Sequence, residues 1–237
     1  MSLTNGPNQC CMGMFYGCTA LTAAPSLAFL PNLTGSEVCS EMFRGCTSLK
    51  TPPVMPETLT NVPLSGFRYM FEGCTSLTAS IPLPATGVAN YCYGWMFYNC
   101  SSLKEIPSSL PATTLAQGCY NSMFQGCSSL SSAPILPATT LVNNCYSDMF
   151  NGCTNLSTAP DLPATQLVDY CYHRLFYNCS KLSSINVNFT NWTNGGSMAL
   201  YSWIQGVASN GTFYKPSDLS EEYAVNRIPN NWTVINK

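Results

Sequence analysis

Hydrophobic and polar positions along the chain follow a block that returns every 26 to 28 residues. Each block contains Met or Leu, then Phe, a variable residue, Gly or Asn, and Cys, and a leucine lies three residues after the cysteine. One block of this length cannot bury its own apolar face, whereas stacked blocks bury a continuous core. The pattern therefore predicts a solenoid of about seven coils, anchored at Cys18, Cys46, Cys74, Cys100, Cys127, Cys153 and Cys179.

The residues before each anchor predict a short helix, because apolar side chains fall there at i, i+4, i+5 and i+8. In the sixth block these are Cys145, Met149, Phe150 and Cys153. The next apolar positions, Leu156 and Ala159, indicate a short extended segment that Pro160 should end, since proline has no backbone donor. We therefore expect an α/β repeat solenoid with parallel strands of about three or four residues on one wall and short helices on the other.

The predicted structural core is the set of Cys, Leu and Phe side chains that recur in register. The residues chosen are Cys46, Cys74, Cys100, Cys127, Cys153, Leu49, Leu77, Leu103, Leu130, Leu156, Phe97, Phe124 and Phe150.

The two ends of the chain differ from the blocks between them. Residues 1–9 are interpreted as the stub of an incomplete repeat, residues 10–190 as the repeats, and residues 191–237 as a C-terminal cap that shields the last coil. Within the cap, the pattern predicts a helix over 197–207 and short strands over 211–215 and 232–235. We expect the chain to be a monomeric piece of a longer protein.

The motif Phe-x-x-Cys-x-x-Leu, followed by proline and a second leucine block, resembles the BspA-like leucine-rich repeats over roughly residues 10 to 187. That family occurs in surface proteins of Bacteroidetes, in some parasitic protists and in some phage tail proteins. The resemblance implies a right-handed leucine-rich-repeat coil. It also implies a non-enzymatic binding or adhesion module, at the cell surface or secreted, that presents a rigid surface to a protein or glycan. The alternative is a structural spacer, or a receptor-binding part of a larger surface or phage tail protein.

Composition excludes several other classes of function. Charged residues make up 8% of the chain and the net charge is −2, so there is no basic footprint for nucleic acid. No apolar run reaches the roughly 20 residues that a membrane-spanning helix needs, so we expect no membrane insertion by this segment. The first residues also lack the basic and apolar regions of a signal peptide.

The fourteen cysteines could form disulfides, bind metal or act as buried apolar side chains. On a helix, Cys145 and Cys153 would be separated by about 12 Å of rise, too far for a disulfide. The seven anchor cysteines cannot all pair with one another, and the seven-residue gaps are wider than those of zinc sites. We therefore favour buried free thiols. Cys11 occupies a position that holds tyrosine in other blocks, so it is either a reactive thiol or part of a frayed end.

No pattern in the sequence indicates catalysis. The single histidine, His173, lies at a variable position and is interpreted as a surface residue. Acidic residues are scattered, and Gly195-Gly196 lacks the spacing and the lysine of a phosphate-binding loop. We expect no enzyme activity, no cofactor and no metal.

Two columns of side chains are candidates for ligand binding. The first consists of outward positions on the strand segments, which vary while the scaffold repeats: Lys50, Thr51, Lys104, Glu105, Ser132 and Thr158. The second is the aromatic column Phe67, Tyr93, Tyr120, Tyr146 and Tyr172, which could stack on carbohydrate or could instead pack between coils. The strand positions are the preferred candidates, with a protein or glycan as the expected partner.

Overall fold

The structure is a computed structural model that describes residues 8–28, 34–56 and 59–237. Its strands are β1 (Asn61–Val62), β2 (Gly87–Val88), β3 (Ser184–Asn186), β4 (Gly211–Lys215) and β5 (Trp232–Asn236). β1 pairs with β2, and β3, β4 and β5 form a second sheet in that order, with parallel pairing throughout. Coils stacked in sequence therefore share one strand wall.

The strands of this wall contain fewer residues than the sequence predicts. β1 and β2 have two residues and β3 has three, while other coils meet through single parallel bridges such as Ala79 with Glu105 and Thr158 with Ser184. Proline follows these bridges closely, as Pro107 follows Glu105, and removes the donor that a longer ladder would need. The predicted strands of the C-terminal segment are confirmed as β4 and β5.

The predicted helical wall is wrong, because no helix occurs in the described residues. In its place each coil carries a run of consecutive turns, which we call the turn ribbon. In the fifth coil it covers residues 118–127. There the N–H groups of Cys119, Asn121 and Met123 donate to carbonyls three residues back, at 3.1 to 3.2 Å. The N–H groups of Tyr120 and Phe124 instead donate to carbonyls of the next coil, at 3.1 and 3.0 Å.

Backbone dihedrals explain why this ribbon is not a helix. Every fourth residue has a left-handed conformation, with φ of 60° at Gly118, 51° at Ser122 and 76° at Gly126. Left-handed residues interrupt a right-handed helix and reverse the chain every few residues. Half of the amide groups therefore point along the stack and bond to neighbouring coils, whereas a helix would keep those bonds within one coil.

The same ribbon continues into the C-terminal segment, where the predicted helix over 197–207 is also absent. Phe176 N–H donates to the carbonyl of Trp203 at 2.7 Å, and Asn178 N–H donates to that of Gln205 at 2.7 Å. Gly206 has a φ of 81°, in register with the left-handed residues of earlier coils. The seven anchored coils are thus followed by an eighth ribbon.

Matching side chains of successive coils stack in columns inside the solenoid. The rings of Phe97 and Phe124 lie 5.7 Å apart with an interplanar angle of 2°, and those of Phe124 and Phe150 lie 5.9 Å apart. All of the Cys, Leu and Phe residues chosen as core from the sequence are fully buried. This continuous column places a rigid backbone under every outward position.

The C-terminal segment packs tryptophans against the last coils. Trp203 is fully buried between Phe189 and Phe213, with ring centroids 6.2 Å from each. The indole of Trp192 donates to the carbonyl of Ser220 at 2.9 Å. These contacts fit the capping role proposed for residues 191–237, while most of the N-terminal stub, residues 1–7, lies outside the described residues.

Candidate functional site

The outward strand positions form an exposed line, which we call the strand-edge row: Lys50, Thr51, Lys104, Glu105, Ser132 and Thr158. Backbone pairing fixes three of them, because Thr51 bridges Ala23, Glu105 bridges Ala79, and Thr158 bridges Ser184. Buried leucines lie immediately before the row in each coil. Neighbouring coils of a parallel sheet are about 4.8 Å apart, so the row spans several coils with fixed spacing.

The aromatic column is interior, which favours packing over carbohydrate stacking. Tyr93, Tyr120, Tyr146 and Tyr172 are 2% exposed or less. Their rings stack in order, with 5.7 Å between Tyr93 and Tyr120 and 5.8 Å between Tyr120 and Tyr146. The hydroxyl of Tyr93 is buried without a hydrogen-bond partner among the described residues. These rings are therefore not available to a ligand.

The anchor cysteines form a ladder of thiol hydrogen bonds. From Cys46 onwards, each anchor thiol donates to the carbonyl of the phenylalanine one coil earlier, as Cys100 does to Phe71 at 3.0 Å and Cys153 does to Phe124 at 3.1 Å. All fourteen cysteines are free thiols in the structure. Burial raises the pKa of the Cys74 thiol to about 12, because the fold disfavours the thiolate. Buried thiols of this kind are unreactive.

Three cysteines at the first two coils differ from the rest. The sulfurs of Cys10 and Cys11 lie 3.8 Å apart, and Cys11 is 8% exposed rather than open to solvent. A hydrogen bond from the Cys39 thiol lowers the pKa of Cys11 to about 6, and burial raises the pKa of Cys10. Cys11 is therefore the thiol of this group with the most thiolate character.

His173 is half-buried and paired, rather than a free surface residue. Its Nδ1 lies 3.3 Å from Asp148 Oδ2 and 3.5 Å from Ser147 Oγ, and its ring stacks on Tyr201 with centroids 5.5 Å apart. Ser, His and Asp are thus neighbours, but Ser147 and Asp148 share one ring nitrogen and the Ser147 hydroxyl donates to Asp148 at 3.1 Å. A nucleophilic triad needs the serine and the acid on opposite ring nitrogens, so this arrangement does not activate Ser147.

A second outward surface lies on the turn ribbons of the third and fourth coils, where the sequence reasoning placed no site. The guanidinium carbon of Arg68 lies 4.8 Å from the ring centroid of Tyr69, 5.0 Å from that of Trp95 and 5.8 Å from that of Tyr91. Tyr69 and Trp95 stack with centroids 5.2 Å apart. We call these four residues the arginine–aromatic cluster.

One signal in the sequence could have located this cluster. Tyr69 and Trp95 each stand immediately before the Met-Phe of the motif, at a position held by Ser122 in the next coil. All three residues have a left-handed φ, of 57°, 56° and 51°. Bulky aromatic residues are uncommon in that conformation, so their placement there in two adjacent coils is an unusual feature of the outer face.

The described residues contain neither a membrane-spanning helix nor a cluster of metal ligands. No helix in residues 8–28, 34–56 or 59–237 is long and apolar enough to cross a bilayer. No three His, Cys, Asp or Glu side chains in those ranges are grouped so that they could hold a metal ion.

Solved structures similar to this chain are leucine-rich repeat proteins. One from Bacteroides ovatus is 19% identical with a TM-score of 0.39, and the match covers 94% of this chain and 63% of that protein. One from T. pallidum is 18% identical with a TM-score of 0.38, covering 85% of this chain and 64% of that protein. A leucine-rich cell surface protein from Faecalibacterium prausnitzii is 19% identical with a TM-score of 0.33, covering 74% and 68%.

The chain thus spans less than two thirds of the length of the first two of these proteins. No curated protein sequence matches it. The family model described as BspA type leucine-rich repeat region, with six copies, matches residues 9–123, 36–159 and 113–205. Those segments overlap and include all seven cysteine-anchored coils. The chain belongs to the BspA-type leucine-rich repeat family.

Proposed function

We propose that this chain is a non-catalytic binding module of a cell-surface or secreted bacterial protein, and that it contacts a protein or glycan through the strand-edge row. The observation that carries the proposal is the exposure of all six row residues, three of which are held by backbone pairing between coils. The N–H groups of Lys104 and Glu105, for example, both donate to the carbonyl of Thr78, at 2.9 and 3.0 Å. A preorganised surface loses little entropy when it binds.

Membership of the BspA-type family supports this class of function, since leucine-rich repeat proteins are generally non-enzymatic scaffolds. The row also limits the type of contact. Thr51, Ser132 and Thr158 offer hydroxyl groups, and the adjacent charges of Lys104 and Glu105 offset each other, which leaves Lys50 as the single uncompensated charge of the row. A ligand would therefore be held by hydrogen bonds, and its affinity would depend only weakly on salt concentration.

The test is binding of the chain to an array of host glycans and to a panel of extracellular glycoproteins. A Ser132→Arg, Thr158→Arg double variant places bulk and charge in the row, and we expect it to lose binding by at least about tenfold, or 1.4 kcal/mol. The matched control is Thr139→Arg with Thr165→Arg, which adds the same side chains at exposed positions outside the row.

Equal binding by the two double variants would contradict a role for the row. Binding of no ligand in either panel would favour the spacer alternative, in which the stack only sets a distance between other parts of a longer protein.

A further inference from the structure

We propose that the arginine–aromatic cluster is a separate binding site for an anionic saccharide, with Arg68 contacting the acidic group and Trp95 the sugar ring. The site lies on the turn ribbons, away from the strand-edge row. It does not depend on the function proposed above, because different residues carry each proposal.

Arg68 differs from the other three arginines of the chain in its charge environment. Each of the others has a carboxylate within salt-bridge distance: Arg44 with Glu41 and Glu72 at 3.1 and 2.9 Å, Arg174 with Asp148 at 3.4 Å, and Arg227 with Glu222 at 3.0 Å. No described carboxylate lies within 4.0 Å of the Arg68 guanidinium. Its positive charge is therefore available to an external anion.

The hydrogen-bonding capacity of Arg68 is also largely unused. One terminal nitrogen, Nη2, donates to the hydroxyl of Tyr69 at 3.3 Å, and Nε is buried without an acceptor among the described residues. A guanidinium carries five N–H donors in a planar fork that matches a carboxylate or a sulfate. An external anion can supply acceptors to the terminal nitrogens, of which only Nη2 has a partner among the described residues, whereas the buried Nε stays out of its reach.

Aromatic rings hold the guanidinium in one orientation. Arg68 occupies the position that Gly94 holds in the next coil, and its guanidinium carbon lies 5.8 Å from the ring centroid of Tyr91 and 5.0 Å from that of Trp95. Cation–π contacts of this kind restrict a long side chain that would otherwise lose rotamer entropy on binding. The cluster is thus preorganised before a ligand arrives.

The aromatic surface ends at the fifth coil, and the change from large to small side chains there leaves room for a sugar ring. The half-buried indole of Trp95 stacks on Tyr69 at 5.2 Å and on Tyr91 at 6.4 Å between ring centroids. The next residue of its column is Ser122, which is too short to cover the rest of the indole. The ring of Tyr91 lies across Gly118, where a Cβ would be 2.3 Å from a ring carbon. The part of the indole that Ser122 leaves uncovered can contact the partly positive C–H groups of a pyranose.

The arrangement favours a saccharide over nucleic acid or an acidic peptide. A phosphate backbone needs a stripe of cations, whereas this surface offers one unpaired arginine on a chain of net charge −2. A peptide of acidic residues would leave the indole face without an apolar partner. A sugar with one carboxylate or sulfate group satisfies both parts of the site.

The test measures binding of the full chain by calorimetry to four probes: an oligogalacturonate, a heparin oligosaccharide, neutral maltohexaose and an oligoglutamate peptide. We expect one or both acidic oligosaccharides to bind, with the two arms distinguishing carboxylate from sulfate, and we expect maltohexaose and oligoglutamate to bind at least about tenfold more weakly. Affinity should fall as salt concentration rises.

The proposed substitutions introduce residues that occupy the same position in a neighbouring coil of this chain. Arg68→Ser follows Ser40 of the preceding coil and should weaken binding about tenfold or more, as should Trp95→Ser, which follows Ser122. The matched control is Arg174→Ser, which removes an arginine from the same wall that is already paired with Asp148. It should leave affinity unchanged.

Two variants keep the proposal testable if one of them fails to fold, as judged by circular dichroism. Absence of binding to both acidic oligosaccharides would overturn the proposal, as would equal binding of oligoglutamate or equal losses from Arg68→Ser and Arg174→Ser. Because the strand-edge variants leave this cluster intact, their failure would not affect this outcome.

Discussion

Cys127 donates its thiol proton to the carbonyl oxygen of Phe97, one coil earlier, across 3.1 Å. The same oxygen also accepts the N–H of Cys100 at 3.1 Å, so both of its lone pairs are used in a fully buried position. Cysteine is small enough to fit between coils and still supplies a donor. This relationship recurs along the anchor column and explains why cysteine, rather than alanine or valine, repeats there.

Replacing Cys127 with alanine should destabilise the chain by about 1–3 kcal/mol, because a buried carbonyl loses one partner and a small cavity remains. The measurement is the urea midpoint of unfolding. Cys18 is the control, since it is exposed and Cys18→Ala should change the free energy of unfolding by less than about 0.5 kcal/mol. Equal effects of the two substitutions would show that the thiol ladder contributes nothing.

Stability should fall in mild alkali. Burial raises the pKa of the Cys74, Cys119 and Cys179 thiols from 9.0 to about 12, so the folded chain binds more protons than the unfolded chain above pH 9. The stabilisation is complete below pH 9 and is lost as pH rises from 9 towards 12. Each of these thiols should cost about 1.4 kcal/mol per pH unit in that range.

Urea midpoints between pH 7 and pH 10 test this dependence, and Cys119→Ala provides the control because it removes one of the three groups. The variant should show a shallower decline above pH 9. A midpoint that is constant up to pH 10 would show that the buried thiols do not make stability depend on pH in this range.

Substitution of Gly152 distinguishes the turn ribbon from a helix. Gly152 has a φ of 76°, and a Cβ there would lie 3.6 Å from its nearest neighbour, so space is not limiting. In a ribbon, Gly152→Ala should destabilise by about 1–2 kcal/mol, since alanine disfavours the left-handed conformation. In a helix the same change should stabilise by about 1 kcal/mol.

Gly152→Asn serves as the matched variant, because Asn99 and Asn178 occupy the same column with φ of 58° and 57°. We expect it to cost less than Gly152→Ala when both are measured by urea unfolding. Stabilisation by alanine would restore the helical interpretation.

Removing one buried hydroxyl should not harm the fold. Tyr93 is 1% exposed and its hydroxyl has no partner among the described residues, while Phe67 fills the same column one coil earlier. Tyr93→Phe should therefore be neutral or stabilise by up to about 1 kcal/mol, because no unpaired polar group remains buried. Thermal unfolding of both variants checks this, with Tyr146→Phe as the control, because the Tyr146 hydroxyl is not a buried group without a partner. A loss of stability in Tyr93→Phe alone would contradict the prediction.

The repeat, the strand wall and the buried columns could be predicted from sequence because the motif returns in register, so that Phe97, Phe124 and Phe150 must stack if any two of them do. The ribbon could not be predicted from apolar spacing, since i, i+4, i+5 and i+8 bury one face in a helix and in a chain of turns alike. The glycine or asparagine before each anchor cysteine argues against a helix, because a repeated glycine weakens a helix interior but readily adopts the left-handed conformation.

The arginine–aromatic cluster depends on which way each side chain points. Tyr91 and Tyr93 are two residues apart, yet the first faces outward over Gly118 and the second is buried in the core. Only the turn geometry separates them. The repeat pattern therefore indicates the inner tyrosines as an aromatic column but does not locate the outer ones.

The one-way hydrogen bonds of the turn ribbon have an electrostatic consequence. The peptide group between Cys119 and Tyr120 accepts from Tyr93 of the coil before and donates to Cys145 of the coil after, and its counterparts in other coils point the same way. Aligned peptide dipoles add along an axis, as they do in an α-helix. The stack thus carries partial negative charge towards its first coil and partial positive charge towards its last, independently of ionisable side chains. Identical charges placed at the two poles would differ in energy.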